Sequence, residues 1–507
     1  MDKEQPQGAS QPNNLRETLE GLLQSGNPAD VRAVEALILA TQGGSEVSPA
    51  ALKENQVLQR TYPELLALLS YASRMTGFPA TGIPAQAAEN KKFAAARAGS
   101  DLGFVDAGIG QGANAEGNVL TNPEITKIFD LLKPDDISAE DWSKVRKIVF
   151  GYAGGVGMPW YRALARKRAL HDCGGNLPTL AFDPVVAPGG TAVLDKATDL
   201  YLSPGEKMLV PDQRWKNVDL QVNKKGAILA EYDTQNPVAS LRSALLKAKE
   251  DGERKVHIYL NYANNPSGKL PTEEEAREMN AIINEFGDQG LGIVVYVDIP
   301  YHPFNYNDEK IDKPLYYYLQ PTSKNVVVNV SVDGTKRDGV YGWRVANWLT
   351  LLSKDAPAEA KKVLETGKIA AMMRADLSFS NCLAQYLITR AMTGDALAPL
   401  KNPDELEISE KYLAAEREMV EWAKECALKL IADLRSIPNI TFEPGDGGFF
   451  LKFIPPKGKT PNEVAQALKK AGIGTIALAD CVRITTTIPR DKYEFFVSTL
   501  KQVLGEM

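Results

Sequence analysis

The chain has 507 residues, 44% of them hydrophobic and 24% charged, the make-up of an ordinary globular protein with length for two to four domains. A net charge of −6 leaves no basic footprint for nucleic acid or an anionic membrane, so neither is expected as a partner. Four scattered cysteines without a C-x-x-C pair, and only three histidines, speak against a disulfide framework, a metal centre or a serine–histidine hydrolase, and for reduced cytosolic thiols.

The N-terminus, M-D-K-E-Q-P-Q-G-A-S-Q-P-N-N, lacks the apolar h-region of a secretory signal. No run of about 18 apolar residues follows, so no membrane span and a cytoplasmic location are expected. Residues 1–13 are polar, contain proline and show no periodicity, which predicts disorder. Residues 14–98 read as helices separated by breakers. One covers 27–41, with proline in its first turn, and the stretch 62–75 is strongly apolar. From about 145 to 350 short β-branched runs alternate with helical segments. K-M-L-V (207–210), K-V-H-I-Y-L (255–260), G-I-V-V-Y-V-D (292–298) and N-V-V-V-N-V-S (325–331) suit strands buried on both faces. A capping box at Thr272-Glu-Glu-Glu275 opens a helix between the second and third. Such strand–helix–strand units predict an α/β fold with a mostly parallel sheet. Helices are expected over 358–374, 381–393 and 408–436, then strands over 447–453 and 481–487. The domains expected are a helical extension (1–98), a large α/β domain (125–355) and a smaller α/β domain (99–124 with 356–507).

The chemistry gathers after the predicted strands. In open α/β sheets ligands bind beyond the carboxyl ends of the strands. Asn265 in N-P-S-G, Asp298 and Tyr301 in D-I-P-Y, and Lys336 all follow strands, so they are expected to converge on one face of the sheet. A lysine there can form a Schiff base with an aldehyde cofactor, and Arg344, eight residues on, can hold that cofactor's phosphate. Singly each has a plainer reading. Lysines are mostly solvated, Asp298 can cap a strand end, and N-P-S-G is ordinary turn chemistry.

Together these residues resemble fold-type I pyridoxal phosphate enzymes, in particular the class I aspartate/aromatic aminotransferases, over roughly residues 100–500. Lys336, Gly339, Tyr341 and Arg344 match the family's K-x-x-G-x-Y-x-x-R, residues 265–268 its N-P-[TS]-G, and Asp298 with Tyr301 its D-x-x-Y. The resemblance implies the fold-type I transferase architecture, pyridoxal 5′-phosphate as cofactor, and a homodimer with shared active sites. It implies that Lys336 carries the cofactor and moves the substrate proton, and that Asp298 pairs with the pyridine nitrogen and keeps it protonated. Asn265 and Tyr301 would hydrogen-bond the ring's phenolic oxygen.

Weaker matches follow from the same resemblance. Gly190 and Thr191 in P-G-G-T would bind phosphate at a helix start, or simply begin a helix. Trp215 would stack on the cofactor and Asn217 help hold the substrate carboxylate; Trp215 also reads as a core residue. Tyr152 in Y-A-G-G-V-G would reach the neighbouring subunit's phosphate, although that glycine-rich string also reads as a phosphate loop itself. Arg483 would grip the substrate α-carboxylate, or lie on an edge strand facing solvent. Gly110, with Ile109, would line the substrate pocket. Arg374 would cross the dimer interface to a distal carboxylate, or close a helix C-terminus.

Some positions depart from the family. Asp333 stands where a phosphate-binding serine is usual, so Ser331 or Thr335 would carry that contact. Val218 replaces the histidine of aspartate aminotransferases, and Asn264 replaces another. The expected activity is ping-pong transamination between an acidic or aromatic L-amino acid and a 2-oxo acid such as 2-oxoglutarate. The alternatives are a lyase or decarboxylase on the same scaffold and a non-catalytic cofactor-binding protein.

Overall fold

The computed structural model describes residues 49–76, 121–437 and 441–507. The polar segment 1–13, the helix expected over 27–41, the rest of the extension beyond 49–76, and the stretch holding Ile109 and Gly110 lie outside the described residues.

A seven-stranded sheet organises the larger part. Its strands are β1 (Val185–Ala187), β2 (Lys207–Pro211), β3 (Ile228–Tyr232), β4 (Lys255–Asn261), β5 (Gly292–Asp298), β6 (Val326–Val332) and β7 (Ala346–Leu351), in spatial order β1-β7-β6-β5-β4-β2-β3. The pairs β2–β3, β2–β4, β4–β5 and β5–β6 are parallel, whereas β7 runs antiparallel to both β6 and β1. The four strands expected from the sequence all form. β1 is only three residues long, and β3 is an edge strand exposed at Ile228 and Glu231, so neither carries the continuous apolar signal of a central strand.

The period-2 alternation splits the buried strands between two cores. One face, with Val256, Ile258, Leu260, Val295 and Val297, packs on the helices Pro237–Glu250 and Glu273–Asp288. The second of these starts at the expected capping box, Thr272 Oγ1 accepting from the Glu275 amide at 3.1 Å and Glu275 Oε2 from the Thr272 amide at 2.7 Å. The other face, with Tyr259, Val294, Tyr296 and Val327, packs on the helix Gly190–Tyr201. Leu58, Tyr62, Leu65 and Leu68 of segment 49–76 enter this second core.

A second, antiparallel sheet follows in the chain: β8 (Thr441–Glu443), β9 (Phe450–Ile454), β10 (Ile476–Ala477) and β11 (Val482–Thr485), in order β10-β11-β9-β8. It packs against the helices Glu410–Arg435, Pro461–Lys470 and Arg490–Gly505. The helical stretch over 358–376 contains a π-helical segment, Val363–Ile369. Its residues Ala360, Leu364 and Ile369 lie in the large sheet's core, while Tyr386 and Ile388 of Cys382–Thr393 pack with Trp142, Trp160 and Leu164. Among the described residues no helix is long and apolar enough to cross a membrane.

Candidate active site

The strand directions gather the candidate residues. The carboxyl ends of β2, β4, β5 and β6 lie on one edge of the sheet. Because β7 is antiparallel to β6 and β1 antiparallel to β7, the end of β1 and the start of β7 lie on that edge too. The edge therefore collects Gly190 and Thr191 after β1, Trp215 and Asn217 after β2, Asn265 after β4, Asp298 and Tyr301 at β5, Lys336 after β6, and Arg344 before β7.

Lys336 sits in a single helical turn, Gly334–Arg337. Its Nζ lies 3.1 Å from Asp333 Oδ2 and 5.4 Å from the centre of the Tyr301 ring. Thr335 occupies the same turn. Asp298 ends β5 and is 5% exposed. Burial pushes its carboxyl up to about 6, against a hydrogen bond from Tyr259 and the charge of Lys336. Tyr301 is buried and meets Phe449 and Phe450 edge-on, at 5.7 and 5.6 Å between ring centres. Burial, then the nearby Asp298 charge, raise the Tyr301 hydroxyl, which therefore stays a hydrogen-bond donor.

A cradle forms where β1 turns into the helix Gly190–Tyr201. Gly189, at φ 87°, caps that helix, and Arg344, itself at φ 52°, lies against it. A Cβ on Gly189 would stand 2.2 Å from Arg344 Nη2, and one on Gly190 2.8 Å from Ser331 Oγ. Glycine is thus required for the guanidinium to approach the helix N-terminus, whose amides and dipole favour an anion. Asp333 borders the same cradle, its Cβ 3.5 Å from the place a Gly190 Cβ would take. Replacing Gly189 by alanine is expected to cost about 1–3 kcal/mol in strain and to displace Arg344, read as a lower urea midpoint together with weakened phosphate binding.

The smaller sheet closes the other side. Arg483 on β11 stacks 4.0 Å above the Phe450 ring on β9, and its Nη1 donates to Asn265 Oδ1 at 2.8 Å. It therefore points into the cluster and not to solvent. Gly268, at φ 71°, lets the N-P-S-G turn approach β9, since a Cβ there would stand 2.8 Å from the Phe450 carbonyl oxygen. Trp215 is half-buried against the second core, and Asn217 opens the helix Asn217–Lys224. Tyr152 is 60% exposed with its ring 5.3 Å from that of Phe379. Arg374 is exposed in the last turn of Ala370–Asp376, and among the described residues no contact joins it to the Lys336 cluster. Gly110 lies outside the described residues.

A family model for aminotransferase class I and II matches residues 161–500. The chain belongs to that family. A probable aspartate/prephenate aminotransferase of Aquifex aeolicus is 25% identical over 323 residues, 64% of this chain and 73% of that one. A probable N-acetyl-LL-diaminopimelate aminotransferase of Bacillus subtilis is 25% identical over 164 residues, covering 32% and 38%. Among solved structures, an aminotransferase of Anaerococcus prevotii superposes with a TM-score of 0.59 at 20% identity, covering 84% of this chain and 98% of that one. An aromatic aminotransferase of Pyrococcus horikoshii does so with 0.55 at 17%, covering 74% and 94%. These likenesses agree with the two-sheet fold. The protein is a transaminase whose family uses pyridoxal phosphate.

The aminotransferase also has residues at this edge that its motifs do not mark. Tyr259 and Asn261 both donate to Asp298 Oδ2, at 2.8 and 3.2 Å. Their signal is the polar half of the alternation His257, Tyr259, Asn261 inside an otherwise apolar strand. Arg337, next to Lys336, enters a buried ring of charges with Asp172, Arg168 and Glu416. A cavity of about 580 Å³ lies at the opposite edge, by the amino ends of β2, β4 and β5. Lys255 on its wall donates to the Leu68 and Tyr201 carbonyls and pairs with Glu206. Glu206 also meets His257 at 2.9 Å, so these buried groups are satisfied by one another.

Proposed function

We propose that this aminotransferase moves an amino group between an acidic or aromatic L-amino acid and a 2-oxo acid such as 2-oxoglutarate, in ping-pong fashion. The observation that carries the reading is Arg483. A half-buried guanidinium, stacked on Phe450 and hydrogen-bonded to Asn265, points at the strand edge that holds Lys336. That is the arrangement a substrate α-carboxylate needs for a bidentate grip.

The residues present fit pyridoxal phosphate. The helix start at Gly190 and Thr191, with the Arg344 guanidinium held against Gly189, suits a phosphate, and Ser331 supplies a hydroxyl beside Gly190. Asp298 suits the pyridine nitrogen, Asn265 and Tyr301 the phenolic oxygen, and Trp215 a ring face. Bound there, the cofactor supplies an aldehyde and an electron-withdrawing ring. Lys336 holds it and carries the proton to and from the substrate Cα. Arg483 and Asn217 orient the carboxylate. Tyr152, exposed beside Phe379, suits a role toward a second subunit, and Arg374 one toward a distal carboxylate across a homodimer. The aspartate/prephenate aminotransferase among its relatives supports the acidic class, and the rings of Phe449 and Phe450 beside Tyr301 suit an aromatic side chain.

Offering glutamate, aspartate and phenylalanine to the purified protein tests the reading. Conversion of the bound cofactor to its amine form is expected, with return on adding 2-oxoglutarate. Ammonia or carbon dioxide released without conversion would overturn the transamination reading in favour of a lyase or decarboxylase reaction. Arg483→Gln is expected to raise KM for the amino acid on the order of 10–100-fold, from the loss of about 1.5–3 kcal/mol of charged hydrogen bonding. An unchanged KM would remove Arg483 from the substrate site.

A further inference from the structure

We propose that Tyr259, seconded by Asn261, is a positioning residue that aims Asp298 and holds it as an anion for the cofactor's ring nitrogen. The inference rests on the proposed placing of Asp298 at that nitrogen.

Tyr259 and Asn261 are two residues apart on β4 and so share a face of the sheet. Asn261 stands opposite Asp298 in the β4–β5 register. The Tyr259 hydroxyl donates to Asp298 Oδ2 at 2.8 Å, and Asn261 Nδ2 donates to the same oxygen at 3.2 Å and to the Asp298 carbonyl at 3.1 Å. Two donors on one oxygen fix the rotation of the carboxylate. They leave Oδ1 as the acceptor for a further donor, and among the described residues none reaches it. Asn261 Oδ1 also accepts from the Asn265 amide at 2.8 Å. One side chain therefore registers Asp298, suited to the ring nitrogen, against Asn265, suited to the phenolic oxygen.

Tyr259 is 1% exposed. Burial first, and the Asp298 charge second, hold its hydroxyl well above the ordinary tyrosine range, so it remains a donor and never competes for the proton. A buried carboxylate deprived of such a donor binds a proton more tightly. It then pairs less well with a ring nitrogen that arrives protonated.

The test compares two probes on the full-length protein. One is pyridoxamine 5′-phosphate, an amine that cannot condense with Lys336. The other is its 1-deaza analogue, in which CH replaces the ring nitrogen. The ratio of their affinities, from fluorescence titration at neutral pH, isolates the contact of Asp298 with the ring nitrogen, because the phosphate contributes equally to both. Tyr259→Phe is expected to lower the ratio about tenfold, corresponding to one charged hydrogen bond, while leaving the affinity for the deaza compound within about twofold. Asn261→Ala, which removes the second donor, is expected to shift the ratio in the same direction and serves if Tyr259→Phe does not fold. A wild-type preference for the ring nitrogen that both variants retain overturns the proposal alone. A wild-type protein that binds both probes equally overturns the placing of Asp298 and the proposal with it.

Discussion

Lys336→Ala is expected to lower the rate of amino transfer by ~10⁴-fold or more, the upper range for a single proton-transferring group, because the variant loses the cofactor's attachment as well. Lys336 occupies a single helical turn after β6, with Asp333 at 3.1 Å and the Tyr301 ring centre at 5.4 Å. Single-turnover spectroscopy reads the chemical step, and borohydride reduction reads the attachment. In the wild type the reduced cofactor should remain on the proteolytic fragment that carries residue 336, and in the variant on none. A variant that keeps its rate, or a label fixed to another lysine, would remove Lys336 from the chemistry.

The second large effect concerns stability. Arg337 is 4% exposed and bonds both oxygens of Asp172, at 2.7 and 2.9 Å, and Glu416 Oε1 at 2.6 Å. Arg168 completes the ring by contacting Asp172 at 3.2 Å and Glu416. Two guanidinium groups and two carboxylates thus join the helix Pro159–Asp172, the Lys336 turn and the long helix Glu410–Arg435 that supports the smaller sheet. Arg337→Ala leaves buried carboxylates short of a partner and is expected to cost about 3–5 kcal/mol, measured as a fall in the urea midpoint. A loss under about 1 kcal/mol, the scale of exposed pairs, would show that water replaces the guanidinium. The pH dependence has a definite sign. Burial alone would raise the Asp172 carboxyl, but the charge and hydrogen bonds of Arg337 hold it well below its ordinary value. Its contribution is therefore complete above about pH 4, the unfolded carboxyl range, and is lost as pH falls further. In Arg337→Ala that acid-labile component should shrink.

Much of the site was legible because its chemistry follows strand ends. The runs at 255–260, 292–298 and 325–331 are apolar enough to be read as buried strands, and Asn265, Asp298 and Lys336 come directly after them. What could not be read was Tyr259. Within K-V-H-I-Y-L-N it looks like one more large buried side chain, and only the β4–β5 register brings its hydroxyl to Asp298. Arg337 is similar: beside Lys336 it reads as a second surface charge, and its partners Asp172 and Glu416 lie 165 and 79 residues away. Arg483 was legible as an arginine among apolar neighbours, but its direction came from the cross-strand placing of Phe450 and the approach of Asn265.

The sequence alone determined the elements and the reactive groups, because hydrophobic period, turn chemistry and a lysine after a β-branched run are local properties. The tertiary structure decided which groups meet. Contacts such as Tyr259 with Asp298, Arg344 with Gly189 and Arg337 with Asp172 depend on strand order, on the antiparallel return of β7 and on helix packing, which arise from burial summed over the whole chain.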